Sequence, residues 1–448
     1  MTDDADTPPT GDDTQARREA ALAVLRANRR EGYTIPSATL YPFQWNWDSA
    51  FVAAGLASAD PDAAATEIRT LLDAQWANGM VPQIAFWTDA TGYFPGPDEW
   101  GAGSDRVRTS GITQPPMVVP AARRVADALR RQRGGSAAEA FLDAVVPALD
   151  AFLSWWLRER SDDGDVVYVR HPWATGMDDS PAWTPVLESF EPLDLPGVDD
   201  LDYAREDRKS ESLADQRPTD WDYDRYVALV RQGRAFDWDE VRLREVCPFV
   251  VEDVLTNAIF ARACADLGGM YDELDALGEE GAAGVDAADR WREQAESTRE
   301  ACRDRLWSPA LGTFVSYDRV GERRLPANSV AGLVSTFGGL PDQGQFEAVR
   351  TNLSENFLSY ERACPSYVGE GMDLDRYWRG PVWVNTNWLL ADGLRRYGAA
   401  DLASRIERDT VSLVEREGFR EYFSPETGEG RGSDRFSWTA ALYLDLTD

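Results

Sequence analysis

About a dozen stretches of this sequence repeat their apolar residues at helical spacing, and that pattern confines the chain to an all-α fold. The clearest are 16–30 (ARREAALAVLRANRR) and 61–78 (PDAAATEIRTLLDAQWAN), the second opening on a proline at a first-turn position. Others lie at about 49–59, 115–132, 136–158, 249–267, 284–306, 328–338, 342–359, 381–397, 400–417 and 435–445. Strand-like runs at 165–169 (DVVYV) and 313–317 (TFVSY) are too few for a sheet-based fold. No fixed repeat period is present, which disfavours a regular solenoid. The pattern suits a toroid of paired helices in which the helices pack and the loops carry chemistry. Segment 187–245, crowded with Asp, Glu, Arg and Tyr, reads as an inserted cap over one mouth of a domain spanning 16–448. Residues 1–15 read as an acidic, disordered tail.

Charge narrows the function. The formal net charge is -32, which repels phosphate backbones and anionic lipid headgroups, so neither nucleic acid nor a membrane is an expected partner. Lys209 is the only lysine among 46 basic residues. An acidic surface with arginine as its cation points to a salt-adapted, cytoplasmic protein. The N-terminal stretch has neither a basic nor an apolar region, so it does not read as a signal peptide. No run approaches the 18 or so apolar residues of a membrane span. Cys247, Cys264, Cys302 and Cys364 match no zinc spacing and are expected to be reduced and buried. No metal or other cofactor is expected; the GDD and DDGD clusters lack a calcium loop's spacing, and no phosphate loop is present.

Five loops pair aromatic residues with carboxylates or amides: YPFQWNWD (41–48), SGITQPP (110–116), HPWATGMDDSP (171–181), GMDLDRYWRGPVW (371–383) and EYFSPETG (421–428). A sugar offers a C–H face that stacks on rings and a hydroxyl rim that seeks Asp, Gln and Arg, so the set points to a carbohydrate site. Cleaving a glycosidic bond takes one carboxylic acid to protonate the leaving oxygen and another carboxylate to activate water or attack the sugar.

WNWDSAF, HPWATGMDDSP, YWRGPVW and the EYFSPETG…FSWTA pair resemble glycoside hydrolase family 63, above all its mannosylglycerate and glucosylglycerate hydrolases, in order from about residue 41 to 445. The resemblance implies an (α/α)6 barrel and inversion at the anomeric carbon. It assigns the general acid to Asp178 and the general base to Glu421, and the sugar pocket to Trp45, Trp47, Asp48, Gln114, Trp173, Gly176, Tyr377, Trp378 and Trp383. The expected reaction is hydrolysis of a small α-glycoside such as glucosylglycerate or mannosylglycerate. Trehalose or short α-glucans are alternative substrates; an inverting phosphorylase or a non-catalytic sugar-binding protein are alternatives of another class.

Several positions have a second reading. Asp179 adjoins Asp178 and competes for the acid's role, although neighbouring residues in a turn point apart. Asp48 could cap a helix, Glu421 could be an exposed turn residue, and Asp373 and Asp375 could be a solvated loop face. His171, the only histidine, reads as a hydrogen-bonded loop residue. Arg379, Arg435, Tyr223 and Tyr226 are candidates for holding a leaving-group carboxylate.

Overall fold

A computed structural model describes residues 11–89, 93–205, 215–275, 282–360 and 362–448. All twelve expected helices are present. They are α1 Gly11–Asn28, α2 Asn46–Leu56, α3 Pro61–Asp73, α4 Val118–Arg133 and α5 Gly135–Glu159. After two helices in segment 187–245, α6 Asp220–Ala235 and α7 Glu240–Val246, come α8 Val254–Asp275, α9 Ala282–Leu306 and α10 Val330–Gly338. The chain ends with α11 Gln343–Asn352, α12 Val384–Arg396, α13 Ala400–Glu417 and α14 Ser437–Leu446. The N-terminal helix starts inside the stretch read as a tail, and residues 1–10 lie outside the described ones.

Helix contacts run from α2 to α4, α8, α10, α12 and α14, and from α14 back to α2, closing a ring. The remaining long helices back it: α1 on α14, α3 on α2 and α4, α5 on α4 and α8, α9 on α8, α11 on α10, and α13 on α12. The protein is a helical toroid. Burial follows position, because every residue of α2 and of α10 is buried, whereas α13 buries one stripe of Ala403, Ile406, Thr410, Leu413 and Val414. A helix apolar on all sides belongs between neighbours, and one with a single stripe belongs on the outside. Among the described residues, α5 alone is long and apolar enough to cross a membrane, and half of that stretch is buried against its neighbours.

Close approach at small residues lets the ring close. A side chain at Gly55 of α2 would run into the backbone of Ala441 in α14, and one at Gly338 into that of Ala258 in α8. Among the described residues, the strands are all two residues long. One four-stranded patch joins Gln44–Trp45 to Ile84–Ala85, Arg108–Thr109 and Ala102–Gly103. The expected strand at 313–317 survives as Thr313–Phe314 paired with Trp307–Ser308. DVVYV contributes only a bridge from Val169 to Val251, because the Val167 and Tyr168 backbones bond to Asn257 and Arg160. All four cysteines are free and buried.

Overpacking a well-filled core costs about 1–3 kcal/mol. Gly55→Val is therefore expected to lower the thermal midpoint clearly. Gly135→Ala, where a Cβ meets nothing within 4 Å, should leave it unchanged. Equal midpoints for both variants would contradict this account of ring closure.

Candidate active site

Four of the six ring helices, α2, α4, α12 and α14, bring their N-terminal ends to a cavity of about 780 Å³. Trp47 and Asp48 stand in the first turn of α2, Gln114 precedes α4, Trp383 precedes α12, and Trp438 lies in the first turn of α14. The eleven residues assigned to catalysis and the sugar pocket all line this cavity: Trp45, Trp47, Asp48, Gln114, Trp173, Gly176, Asp178, Tyr377, Trp378, Trp383 and Glu421.

Its apolar wall is a continuous set of ring contacts. Trp378 stacks on Trp383 at 3.9 Å and 4°, Trp383 lies on Tyr422 at 4.6 Å, and Trp47 meets Trp378 at 6.1 Å and Trp438 at 5.6 Å. Trp173 leans on Tyr223 and Trp100 across the cavity. Gly176 adopts φ 78°, and a Cβ there would fall 2.5 Å from the Trp47 ring, so glycine is what lets the loop before Asp178 lie flat on that indole.

Glu421 is 1% exposed, and donors face both of its oxygens. Oε1 accepts from the Tyr41 hydroxyl at 2.9 Å, and Oε2 accepts from the Ser433 backbone N–H at 2.8 Å. Arg217 Nη1 lies 3.5 Å from Oε1, and Arg217 also donates to the Tyr41 hydroxyl. A hairpin pairing Tyr422–Phe423 with Gly430–Arg431 holds this residue, and its own N–H donates to the Ser433 carbonyl. Glu421 is therefore not an exposed turn residue.

Asp178 is half-buried and lines the cavity. Burial, reinforced by the charges of Asp179 and Glu421 and opposed by Arg217, pushes its carboxyl well above the usual range. Asp179 points away from the cavity. It accepts from Arg376 at 3.0 and 3.1 Å and from Arg379 at 3.0 Å, and burial still pushes it up to about 6 against those cations.

The remaining candidates divide, and the Asp48 cap is the first to need correction. Asp48 is no cap: Trp45 holds that position, while the Trp47 N–H donates to Gln114 Oε1 at 3.3 Å and the Asn46 N–H to the Gln83 carbonyl. Burial and then the Glu421 charge push Asp48 well above the ordinary carboxylate range. Among the leaving-group candidates, Arg379 is committed to Asp179, and the Tyr226 hydroxyl donates to the Asp178 carbonyl at 2.7 Å. Arg435 does not line the cavity, whereas Tyr223 does. His171 is neutral, its Nε2 against the Tyr226 carbonyl and its Nδ1 accepting from the Trp173 N–H, and burial lowers it to about 3. Asp373 and Asp375 stay outside the cavity, with Asp375 paired to Arg431.

Sequence reasoning missed Tyr41 and Arg217. Tyr41 opens the first aromatic loop, and its place there was the available signal. Arg217 gave none, since it lies in the least periodic segment of the chain. Among the described residues, no three of His, Cys, Asp and Glu cluster as metal ligands do.

The "Mannosylglycerate hydrolase MGH1-like glycoside hydrolase domain" family matches residues 41–439. The chain belongs to this family of glycoside hydrolases. The hydrolase is 40% identical over 452 residues to a mannosylglycerate hydrolase of Rubrobacter radiotolerans, covering 98% of each chain. It is 34% identical to a glucosylglycerate hydrolase of Mycolicibacterium hassiacum, again over 98% of each. Among solved structures, a Thermus thermophilus GH63 mannosylglycerate hydrolase in complex with Tris and D-glycerate superposes with a TM-score of 0.87 at 37% identity. That match covers 96% of this chain and 100% of the other.

A hydrogen bond to a charged group contributes roughly 1.5–3 kcal/mol. Replacing Tyr41 by Phe is accordingly expected to slow turnover by about ten- to a hundredfold while the fold persists. An unchanged kcat would show that the enzyme makes no use of this donor to Glu421.

Proposed function

We propose that this hydrolase is an inverting α-glycosidase acting on mannosylglycerate or glucosylglycerate, with Asp178 as general acid and Glu421 as general base. Mannosylglycerate is put first because the relative of that name is the more similar, at 40% against 34% identity. The observation that carries the reading is the contrast between two carboxylates in one cavity. Asp178 is driven toward its protonated form by burial and neighbouring negative charge. Glu421 faces donors at both oxygens, an arrangement that suits an ionised carboxylate, which can only accept.

In this mechanism Asp178 gives its proton to the glycosidic oxygen as that bond breaks. A water on the opposite face gives a proton to Glu421 and bonds to the anomeric carbon, yielding free sugar and glycerate. Inversion calls for roughly 6.5–9.5 Å between the two carboxyl groups, room for that water. The tryptophan wall supports stacking of the sugar face, and Asp48 and Gln114 supply partners for its hydroxyls. The reading extends the toroid to an (α/α)6 barrel, in which the closed ring is the inner layer and its backing helices the outer.

Arg217 is the cavity group we assign to the leaving group's carboxylate. Among the described residues, only Arg217 and Arg420 of those lining the cavity carry positive charge, and the buried Nε of Arg217 has no hydrogen-bond partner there. Burial of an unmatched guanidinium donor is costly, and a bound carboxylate relieves that cost.

Sugar release from mannosylglycerate, glucosylglycerate, trehalose and maltose tests the reading. Asp178→Asn and Glu421→Gln should each lower the rate by at least about a hundredfold. Wild-type rates in either would refute that assignment. Arg217→Leu should lower kcat/KM for the glycerate glycosides at least about tenfold more than for trehalose. Because Asp178 must be protonated and its carboxyl is raised, activity should persist above the ordinary carboxylate range. It should then fall as pH rises through the elevated value, on the alkaline limb of the profile.

A further inference from the structure

Behind Asp178 lies a set of four charges, two buried carboxylates and two partly buried arginines, that the reaction itself does not use. Asp179, with a fully buried side chain, accepts from Arg376 Nε and Nη2 and from Arg379 Nε. The same two guanidinium groups reach Asp222, from Arg376 Nη2 at 2.9 Å and from Arg379 Nη2 at 3.8 Å. Two cations and two anions balance, so the set is neutral. Each charge depends on the others, because removing one partner from a buried ion pair strands the rest without water.

These charges tie three parts of the chain together. Asp179 belongs to the turn that carries Asp178. Arg376 and Arg379 flank Tyr377 and Trp378, both of which line the cavity, and Tyr377 holds φ 39°. Asp222 belongs to α6 in segment 187–245, where it completes a capping box with Thr219. One helical turn further along the same face of α6, the Tyr226 hydroxyl donates to the Asp178 carbonyl at 2.7 Å. Helix α6 thus grips the turn twice, at Asp178 itself through Tyr226 and at Asp179 through the arginines.

We propose that Asp179, Asp222 and Tyr226 are positioning residues that fix Asp178 for proton delivery, so that α6 is a built-in part of the acid site. The proposal rests on Asp178 being the acid. Two effects follow. Geometrically, the grip holds the carboxyl at the leaving oxygen, and a displacement of about 1 Å can cost on the order of a hundredfold in rate. Electrostatically, Asp179 offsets the two arginines bound to it, one residue from Asp178. Among the described residues, the other charged and titratable groups facing Asp178 are Arg217 from the stretch before α6, Glu421 from the hairpin, Tyr377 from the loop before α12, and Tyr226. Neutralising Asp179 leaves Arg376 and Arg379 opposed by Asp222 alone. The added positive potential favours the ionised form of Asp178, which then loses its proton at lower pH.

The experiment compares full pH–rate profiles of wild type with Asp179→Asn, Asp179→Glu, Tyr226→Phe and Asp178→Asn, alongside their thermal midpoints. Asp179→Asn is expected to lower kcat at least about tenfold with KM nearly unchanged, and to move the alkaline limb down by about one pH unit. Asp179→Glu, which keeps the charge, should restore the limb's position. Tyr226→Phe keeps the charges and loses one hydrogen bond, so kcat should fall while the limb stays in place. A folded Asp179→Asn enzyme with an unshifted limb overturns the electrostatic part. Wild-type kcat in Tyr226→Phe overturns the positioning part, and that variant answers the question even if Asp179→Asn does not fold. Asp178→Asn separates the two readings: if it is inactive while these variants behave as wild type, the positioning proposal alone fails. If it is active, the acid assignment fails with it.

Discussion

Water exclusion around carboxylates is the constraint on which the rest of this structure depends. Moving a charged carboxylate from water into protein costs several kcal/mol unless hydrogen bonds or opposite charge compensate it. The toroid imposes that cost on Asp48, Asp178, Asp179 and Glu421 at once, and each meets it differently. Glu421 meets it with donors from Tyr41, Ser433 and Arg217. Asp179 meets it with two arginines. Asp48 and Asp178, with less compensation, are driven toward their neutral forms. One environment thereby yields groups of opposite chemical character, as a reaction needing both an acid and a base requires.

Supporting that environment is the task of the helices. A ring closed at contacts as near as Gly55 on Ala441 leaves little room for water between those inner helices. N-terminal ends of α2, α4, α12 and α14 meet at the cavity, and their dipoles favour negative charge there. Segment 187–245 adds to the site from its own side, contributing Arg217 and Tyr223 to the cavity and Asp222 and Tyr226 behind it.

Legibility in the sequence followed physical cause. The ring and its backing helices were readable because one-sided or all-round apolarity at helical spacing is a strong local signal, although α8 begins at Val254 rather than near 249. Helices α6 and α7 were not read as helices. Asp, Arg and Tyr dominate α6, and many of those polar residues are buried through partners distant in sequence. Its capping box, Thr219 with Asp222, was the local signal available. The eleven residues assigned to catalysis and the sugar pocket line the cavity because motifs of Trp with carboxylates are local and dense, whereas the leaving-group candidates Arg379, Arg435 and Tyr226 do not line it. The cap reading of Asp48 did not hold, since Trp45 takes that position and Gln114 binds the first-turn N–H. The separation of Asp178 from Asp179 rests on Arg376 and Arg379, almost two hundred positions further along the chain, so neighbouring residues alone could not settle it.

The most direct measurement of the central claim, two carboxylates acting across an intervening water, is the anomeric form of the sugar first released. Proton NMR during early turnover of an α-configured glycerate glycoside, before mutarotation, reads it. The account predicts the β-anomer as first product, with the α-form growing in afterwards. Initial appearance of the α-anomer would mean retention through a covalent intermediate and would contradict the account.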